Sequence, residues 1–151
     1  MYETITCELE DHILTITLNR PDRLNAFNVQ MVDDLLHAIE EADHNDEVRV
    51  IIFTGAGRAF CAGSDLEKGA SAFEDNETPT DEYRDLGGRL TLRLFEMKKP
   101  IIAAINGAAV GIGVTMTLPM DIRIASENSK FGLVFTRRGI APEACSGWFL
   151  P

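Results

Sequence analysis

Apolar and polar residues alternate in two short segments at the start of the chain. The segments are 4–9 (TITCEL) and 12–19 (HILTITLN), and both are rich in β-branched residues. Alternation of this kind predicts half-buried strands. Because only Glu10 and Asp11 separate the two segments, we predict a β-hairpin with a two-residue turn.

Two later stretches show the periodicity of helices instead. Between residues 28 and 46 the apolar side chains fall on one helical face and the acidic residues on the other. Asn28 is the expected N-cap of this helix. A second helix is predicted over 83–99, where leucines recur at helical spacing, although Gly87 and Gly88 lower its propensity.

Nearly continuous apolar runs occupy 48–55 and 101–106, and further strands are predicted over 121–126 and 129–135. Runs of this kind are typical of strands that are covered on both faces. Because these runs alternate with helical segments, we predict an α/β fold with a mainly parallel sheet. The acidic, polar stretch 67–82 is predicted to be a mobile surface segment of the kind that forms lids.

Two glycine-rich turns carry candidate chemistry. FCAGSDL (60–66) and AVGIGVT (109–115) each end a predicted strand and begin a predicted helix, the second running from Gly111 to Leu118. A helix N-terminus presents free N–H groups, and two such groups converging on one oxygen form an oxyanion hole. Taken alone, each turn is also compatible with a purely structural role, and neither matches a dinucleotide or phosphate-loop motif.

The composition and charge of the chain narrow the range of binding partners. The net charge of -10 and the pI of about 4.7 argue against nucleic acid and anionic membranes as partners. The acidic start lacks a signal-peptide pattern, so we expect a cytoplasmic protein. The 3 cysteines are widely spaced and no C-x-x-C is present, so we expect neither a disulfide framework nor a metal site.

Three stretches, in this order, resemble the crotonase family of enoyl-CoA hydratases and isomerases. They are ITLNRPDRLNAF (16–27), VIIFTGAGRAFCAGSDL (50–66) and the long stretch from Lys99 to Leu133. The resemblance implies one crotonase core domain over 1–151, folded as a crotonase (ClpP-like) superhelix of repeated ββα units. It also implies an acyl-CoA thioester as substrate, coenzyme A being part of that substrate, and no further cofactor.

The resemblance also implies which residues form the site. The backbone N–H groups of Ala62 and Ile112 are expected to hold the thioester oxygen. The stretches 23–26 and 62–66 are expected to hold the adenine and pantetheine of coenzyme A. The residues expected to contact substrate are Arg23, Leu24, Ala26, Ala62, Ser64, Asp65, Leu66, Gly111, Thr115, Phe135 and Trp148.

The chain departs from the family pattern where hydratases carry their two glutamates. Those positions are Thr115 and Phe135 here, so the usual pair of acids that activates water is missing. Glu143 lies where several isomerases of the family carry their single acid. The resemblance therefore implies Δ3-Δ2 double-bond isomerisation, with Glu143 as the base and with Ile140, Trp148 and Phe149 burying it.

Other interpretations remain open on sequence. Glu143 after Pro142 also fits a first-turn helical residue favoured by the helix dipole, and Asp65 fits a helix cap. The protein could instead be a hydratase that uses an unidentified acid, or a non-catalytic acyl-CoA-binding module. Family members continue through helices that form a trimer interface. We therefore expect a longer protein, a homotrimer or hexamer, and weak activity if nothing follows Pro151.

Overall fold

The computed structural model describes residues 1–66 and 84–151, so the predicted lid segment 67–82 lies outside the described residues. In chain order the strands and helices are β1 Ile5–Glu10, β2 Ile13–Leu18, α1 Val29–His44, β3 Val50–Gly55, β4 Ala59–Cys61, α2 Leu86–Phe95, β5 Ile101–Ile105, β6 Ala108–Val110, α3 Ile112–Thr115, β7 Ile122–Ala125, β8 Phe131–Gly132 and α4 Ser146–Phe149.

The larger sheet has five strands in the order β1-β2-β3-β5-β7. The β1–β2 pair is the predicted antiparallel hairpin, and the remaining pairs are parallel. The hairpin turn is formed by Asp11 and His12, both in the left-handed region (φ 48° and 67°), and not by Glu10 and Asp11. Two consecutive positive φ angles are what a type I′ hairpin requires, and this shifts the turn by one residue.

The smaller sheet has three parallel strands in the order β4-β6-β8. Each of its strands follows a strand of the larger sheet, so the chain passes from the larger to the smaller sheet three times in the same direction. This repetition confirms the predicted α/β class with mainly parallel strands. Sequence analysis assigned β6 to a glycine-rich turn, because a strand of three residues is too short to show a period.

The helices pack beside the sheets around one hydrophobic core. Helix α1 begins as predicted: the Asn28 side chain accepts a hydrogen bond of 2.9 Å from the Met31 N–H. Helix α2 is joined to α1 through Arg93, whose guanidinium contacts Glu40 at 2.8 Å and Asp43 at 2.9 Å. These contacts hold the last turn of α2 against α1.

Candidate active site

A pocket opens where the three strands of the smaller sheet end. In a parallel sheet the carboxyl ends of all strands lie at one edge, where ligands of α/β proteins commonly bind. The segments that leave β4, β6 and β8 enclose about 100 Å³ there. The lining residues are Ala62, Gly63, Ser64, Leu66, Val110, Gly111, Ile112, Val134, Phe135, Arg138, Ile140 and Glu143.

Two glycines allow the glycine-rich turns to meet in this pocket. A side chain at Gly113 would overlap the carbonyl oxygen of Cys61, so the start of α3 packs directly on the end of β4. Gly63 has a φ of +105°, and a Cβ there would lie 3.1 Å from the carbonyl oxygen of Val110. Only glycine fits both the conformation and the space at position 63.

The backbone donors of the pocket differ from those expected. The Ala62 N–H already donates to the Leu24 carbonyl at 3.0 Å. Within 1–66 and 84–151, the Ser64 and Ile112 N–H groups have no hydrogen-bond acceptor. Parallel pairing with Phe27 uses the N–H and C=O groups on either side of Ser64, which turns the Ser64 N–H the other way. The Ala62 N–H is therefore engaged and not available as expected, whereas the Ser64 and Ile112 N–H groups are available within the described residues.

Glu143 brings a carboxylate to the same pocket. It lies in an irregular segment between a 3-10 helix, Phe135–Arg138, and α4. Because α4 begins only at Ser146, the alternative that Glu143 is a first-turn helical residue is wrong. The Thr115 hydroxyl donates a hydrogen bond of 3.3 Å to Glu143 Oε1.

The surroundings of Glu143 favour its protonated form. Burial is the main cause, and the negative charge of Asp85 is the second; together they raise the pKa of Glu143 to about 7. The hydrogen bond from Thr115 acts in the opposite direction, because it stabilises the carboxylate. A carboxyl group with a pKa near neutrality can both accept and return a proton.

The residues that bury Glu143 are only partly those expected. Ile140 lines the pocket, but the Trp148 side chain is 79% exposed and is not among the lining residues. A Cβ at Gly87 would lie 2.6 Å from Glu143 Oε2, 2.6 Å from Ile112 Cδ1 and 2.8 Å from Ala144 Cβ. The carboxyl group therefore packs on the first turn of α2, which sequence analysis did not anticipate.

The other expected site residues fall into two groups. Phe135 lines the pocket. Thr115 is fully buried and does not line the pocket, but its hydroxyl contacts Glu143, which does. Arg23, Leu24 and Ala26 lie in and after a 3-10 turn that begins at Pro21, beside the segment 62–66.

Two residues that sequence analysis missed hold this turn. The buried Asn25 side chain donates to the carbonyl oxygens of Ala56 and Ala59, both at 2.9 Å. The Arg20 guanidinium bonds the Asp65 carboxylate at 2.9 Å and the Ala26 carbonyl at 2.5 Å. Asp65 thus joins the two segments expected to bind coenzyme A. The sequence signal was the stretch NRPDRLNAF itself, in which both residues occur.

Two further observations concern metal binding and membrane spanning. In the described part of the chain, no three histidine, cysteine, aspartate or glutamate side chains are grouped so that they could hold a metal ion. Among the helices within 1–66 and 84–151, none has the length and apolar character needed to cross a membrane.

Comparison with known proteins identifies the family. The profile described as "Enoyl-CoA hydratase/isomerase" matches residues 8–151. An enoyl-CoA hydratase of Alternaria alternata is 45% identical over 141 residues, covering 93% of this chain and 47% of that protein. A 1,2-epoxyphenylacetyl-CoA isomerase of Escherichia coli K12 is 39% identical over 158 residues, covering 100% of this chain and 58% of that protein.

Solved structures agree with this assignment. An enoyl-CoA hydratase/isomerase from Pseudoalteromonas atlantica superposes with a TM-score of 0.83 at 33% identity, covering 99% of this chain and 56% of that chain. An enoyl-CoA hydratase from Shewanella pealeana gives 0.89 at 27% identity, with coverage of 99% and 56%. The chain belongs to the enoyl-CoA hydratase/isomerase family and has the crotonase fold. It spans about half the length of these relatives.

Proposed function

We propose that this chain carries the acyl-CoA site of a Δ3-Δ2 enoyl-CoA isomerase, in which Glu143 moves the proton. One observation carries the proposal: Glu143 is the single carboxylate among the described residues that line the pocket, and Ser64 and Ile112, whose N–H groups have no acceptor within those residues, line it too. An isomerase of this kind needs one base and one anion-binding pair, and the pocket offers both.

In the proposed reaction, Glu143 removes a proton from C2 of a 3-enoyl thioester. The electron pair of the C–H bond forms the C2–C1 double bond of a dienolate, whose negative charge lies on the thioester oxygen. The Ser64 and Ile112 N–H groups stabilise that oxygen, and one such donor is typically worth about 3 kcal/mol in the barrier. Glu143 then returns the proton to C4, which leaves the conjugated 2-enoyl thioester.

Hydration is the second candidate, because the Alternaria relative is named a hydratase. Adding water to a 2-enoyl thioester requires a group that positions and deprotonates the water molecule. Thr115 and Phe135 supply no acid, and Asp85, the carboxylate that acts on Glu143, is not among the lining residues. These positions support isomerisation over hydration.

Coenzyme A itself is proposed to lie along the segments 20–26 and 62–66. Arg23, Leu24, Ala26 and Leu66 are the proposed contacts, and Arg20 and Asp65 fix the relative position of the two segments. We further propose that coenzyme A enters only as part of the substrate. The whole protein is proposed to be a cytoplasmic homotrimer or hexamer.

The experiment that separates these functions uses purified protein and two substrates. A 3-enoyl-CoA is followed by the ultraviolet absorbance of the conjugated product, and a 2-enoyl-CoA is followed by loss of that absorbance on hydration. Turnover of the first substrate, with little hydration of the second, supports the proposal. Fast hydration supports a hydratase, and binding without turnover of either substrate supports a non-catalytic acyl-CoA-binding module.

A further inference from the structure

Asp85 connects two parts of the structure that meet at Glu143. It is the N-cap of α2, and its Oδ1 accepts a hydrogen bond of 2.8 Å from the Gly88 N–H. The same oxygen accepts a hydrogen bond of 3.2 Å from the N–H of Ala144, the residue after Glu143. One carboxylate oxygen therefore joins the first turn of α2 to the turn that carries Glu143.

The turn after Glu143 needs such support. Ala144 and Cys145 both have left-handed backbone angles, with φ values of 57° and 55°, and neither is glycine. Consecutive non-glycine residues in this region persist only where the surroundings hold them. Ala144 is fully buried, so its N–H requires an acceptor, and Asp85 supplies it.

The same arrangement fixes the carboxyl group of Glu143. That group lies against Gly87 and Ile112, between the first turn of α2 and the start of α3. A shift of the Ala144 turn would therefore move the base relative to the pocket. Because Asp85 is not among the lining residues, it acts on substrate only through Glu143.

The charges that face Glu143 come from several elements. Asp85 at the start of α2 carries a negative charge and raises the pKa of Glu143. Burial raises the pKa of the Cys61 thiol of β4, and the nearby Glu143 charge raises it further. Arg138 lines the same pocket, and the free Cys145 comes after Glu143 and Ala144 in the chain. Asp85 is the acidic group of this set, so removing its charge should favour the Glu143 carboxylate.

We infer that Asp85 is a positioning residue, which holds the Glu143 turn against α2 and acts on the base through its charge. The inference rests on the proposed role of Glu143 as the base. It assigns to Asp85 a function in the reaction that its helix cap alone would not require.

The test compares Asp85→Asn, Asp85→Ala and the control Asn28→Ala. Asparagine caps a helix about as well as aspartate, so Asp85→Asn removes the charge and keeps the cap. Asn28→Ala removes the matched cap of α1, outside the pocket. The readouts are the pH profile of kcat/KM for a 3-enoyl-CoA and a carbon-13 NMR titration of the Glu143 carboxyl group, assigned with Glu143→Gln.

We expect Asp85→Asn to move the acid limb of the profile, and the NMR titration of Glu143, about one pH unit lower. This makes the variant faster than the parent protein at about pH 6. Asp85→Ala should lower kcat by about tenfold or more at high pH. Asn28→Ala should lower the melting temperature as Asp85→Ala does, with the pH profile and kcat unchanged.

An unchanged Glu143 titration in Asp85→Asn would overturn the inference, as would equal kcat values for Asp85→Ala and Asn28→Ala. If Asp85→Ala does not fold, Asp85→Asn alone decides. If Glu143→Gln keeps its activity, the proposed function fails, but the NMR titration of Asp85→Asn still decides whether Asp85 acts on Glu143.

Discussion

At the scale of single residues, the buried position of Glu143 lowers the free energy of unfolding at neutral pH and above. The surroundings raise its pKa from 4.5 to about 7, mainly through burial and then through Asp85. The folded protein therefore holds this proton more tightly than the unfolded chain does. The free energy of unfolding should fall as the pH rises from 4.5 to about 7, and the loss should be complete above that range.

Glu143→Gln is therefore expected to stabilise the protein above pH 7. Glutamine resembles the protonated glutamate and can keep the hydrogen bond from Thr115. We expect a gain on the order of 1–2 kcal/mol at about pH 8 and almost none at about pH 4, measured by urea unfolding at both values. Equal effects at the two pH values would show that Glu143 is not buried as a charge.

Sequence reasoning found Glu143 but not Asp85. Glu143 stood out because Thr115 and Phe135 lack the acids that the family resemblance led us to expect. Asp85 bonds a backbone N–H 59 residues away, and no local pattern encodes that contact. The donor at Ser64 was missed for a similar reason: only the pairing with Phe27 shows which way each N–H points.

At the scale of secondary-structure elements, the site depends on how closely α3 approaches β4. The contact between Gly113 and the Cys61 carbonyl is backbone on backbone, so neither side can yield by changing a rotamer. This contact packs the start of α3, where Ile112 lies, on the end of β4, and both Ile112 and Ser64 line the pocket. The sequence showed glycines in both turns, but their convergence depends on β4 and β6, which are too short to show a period.

Gly113→Ala should separate these elements. Alanine favours a helix over glycine, so a loss of stability must come from the contact with Cys61. We expect a loss of about 2 kcal/mol in urea unfolding and a fall in kcat of about a hundredfold. A folded variant with normal kcat would show that the Ile112 N–H does not take part in the reaction.

Gly147→Ala is the matched control. Gly147 lies in α4, and a Cβ there would meet nothing within 4 Å. We expect its unfolding free energy to stay within about 0.5 kcal/mol of the parent value, with kcat unchanged.

At the scale of the whole molecule, α1 and α2 are tied by a nearly buried ion pair. Asp43 accepts hydrogen bonds from the Arg93 guanidinium at 2.9 Å and from the Lys98 N–H at 3.1 Å. Burial acts to raise the pKa of Asp43, but these hydrogen bonds outweigh it and lower that pKa below 3.8. The pair therefore stabilises the fold above that pH, and the stabilisation disappears as the pH falls through the lowered value.

Asp43→Asn should lower the unfolding free energy by about 2 kcal/mol at about pH 7, with a smaller effect at about pH 2. Asp33→Asn is the control, since Asp33 and Arg89 form an exposed pair at 3.7 Å. A pair of that kind is worth about 0.5 kcal/mol or less. Similar losses for both variants at neutral pH would contradict the assignment of α1–α2 docking to Asp43.

The α/β fold class was predictable because strand patterns and helical patterns alternate along the chain. The family resemblance then led to the correct crotonase superhelix. The comparisons confirm the family, and they leave open which of its reactions the protein performs. We propose that Glu143 decides this choice, because it is the single carboxylate among the described residues that line the pocket.

The most direct test is therefore the isomerisation rate of Glu143→Gln beside the control Glu127→Gln, which removes an exposed glutamate after β7. Both are compared with the parent protein at about pH 8, using a 3-enoyl-CoA and the absorbance of the conjugated product. We predict that Glu143→Gln lowers kcat by about a thousandfold and that Glu127→Gln leaves it unchanged. Parent-like turnover by a folded Glu143→Gln protein would contradict the central claim that Glu143 is the base.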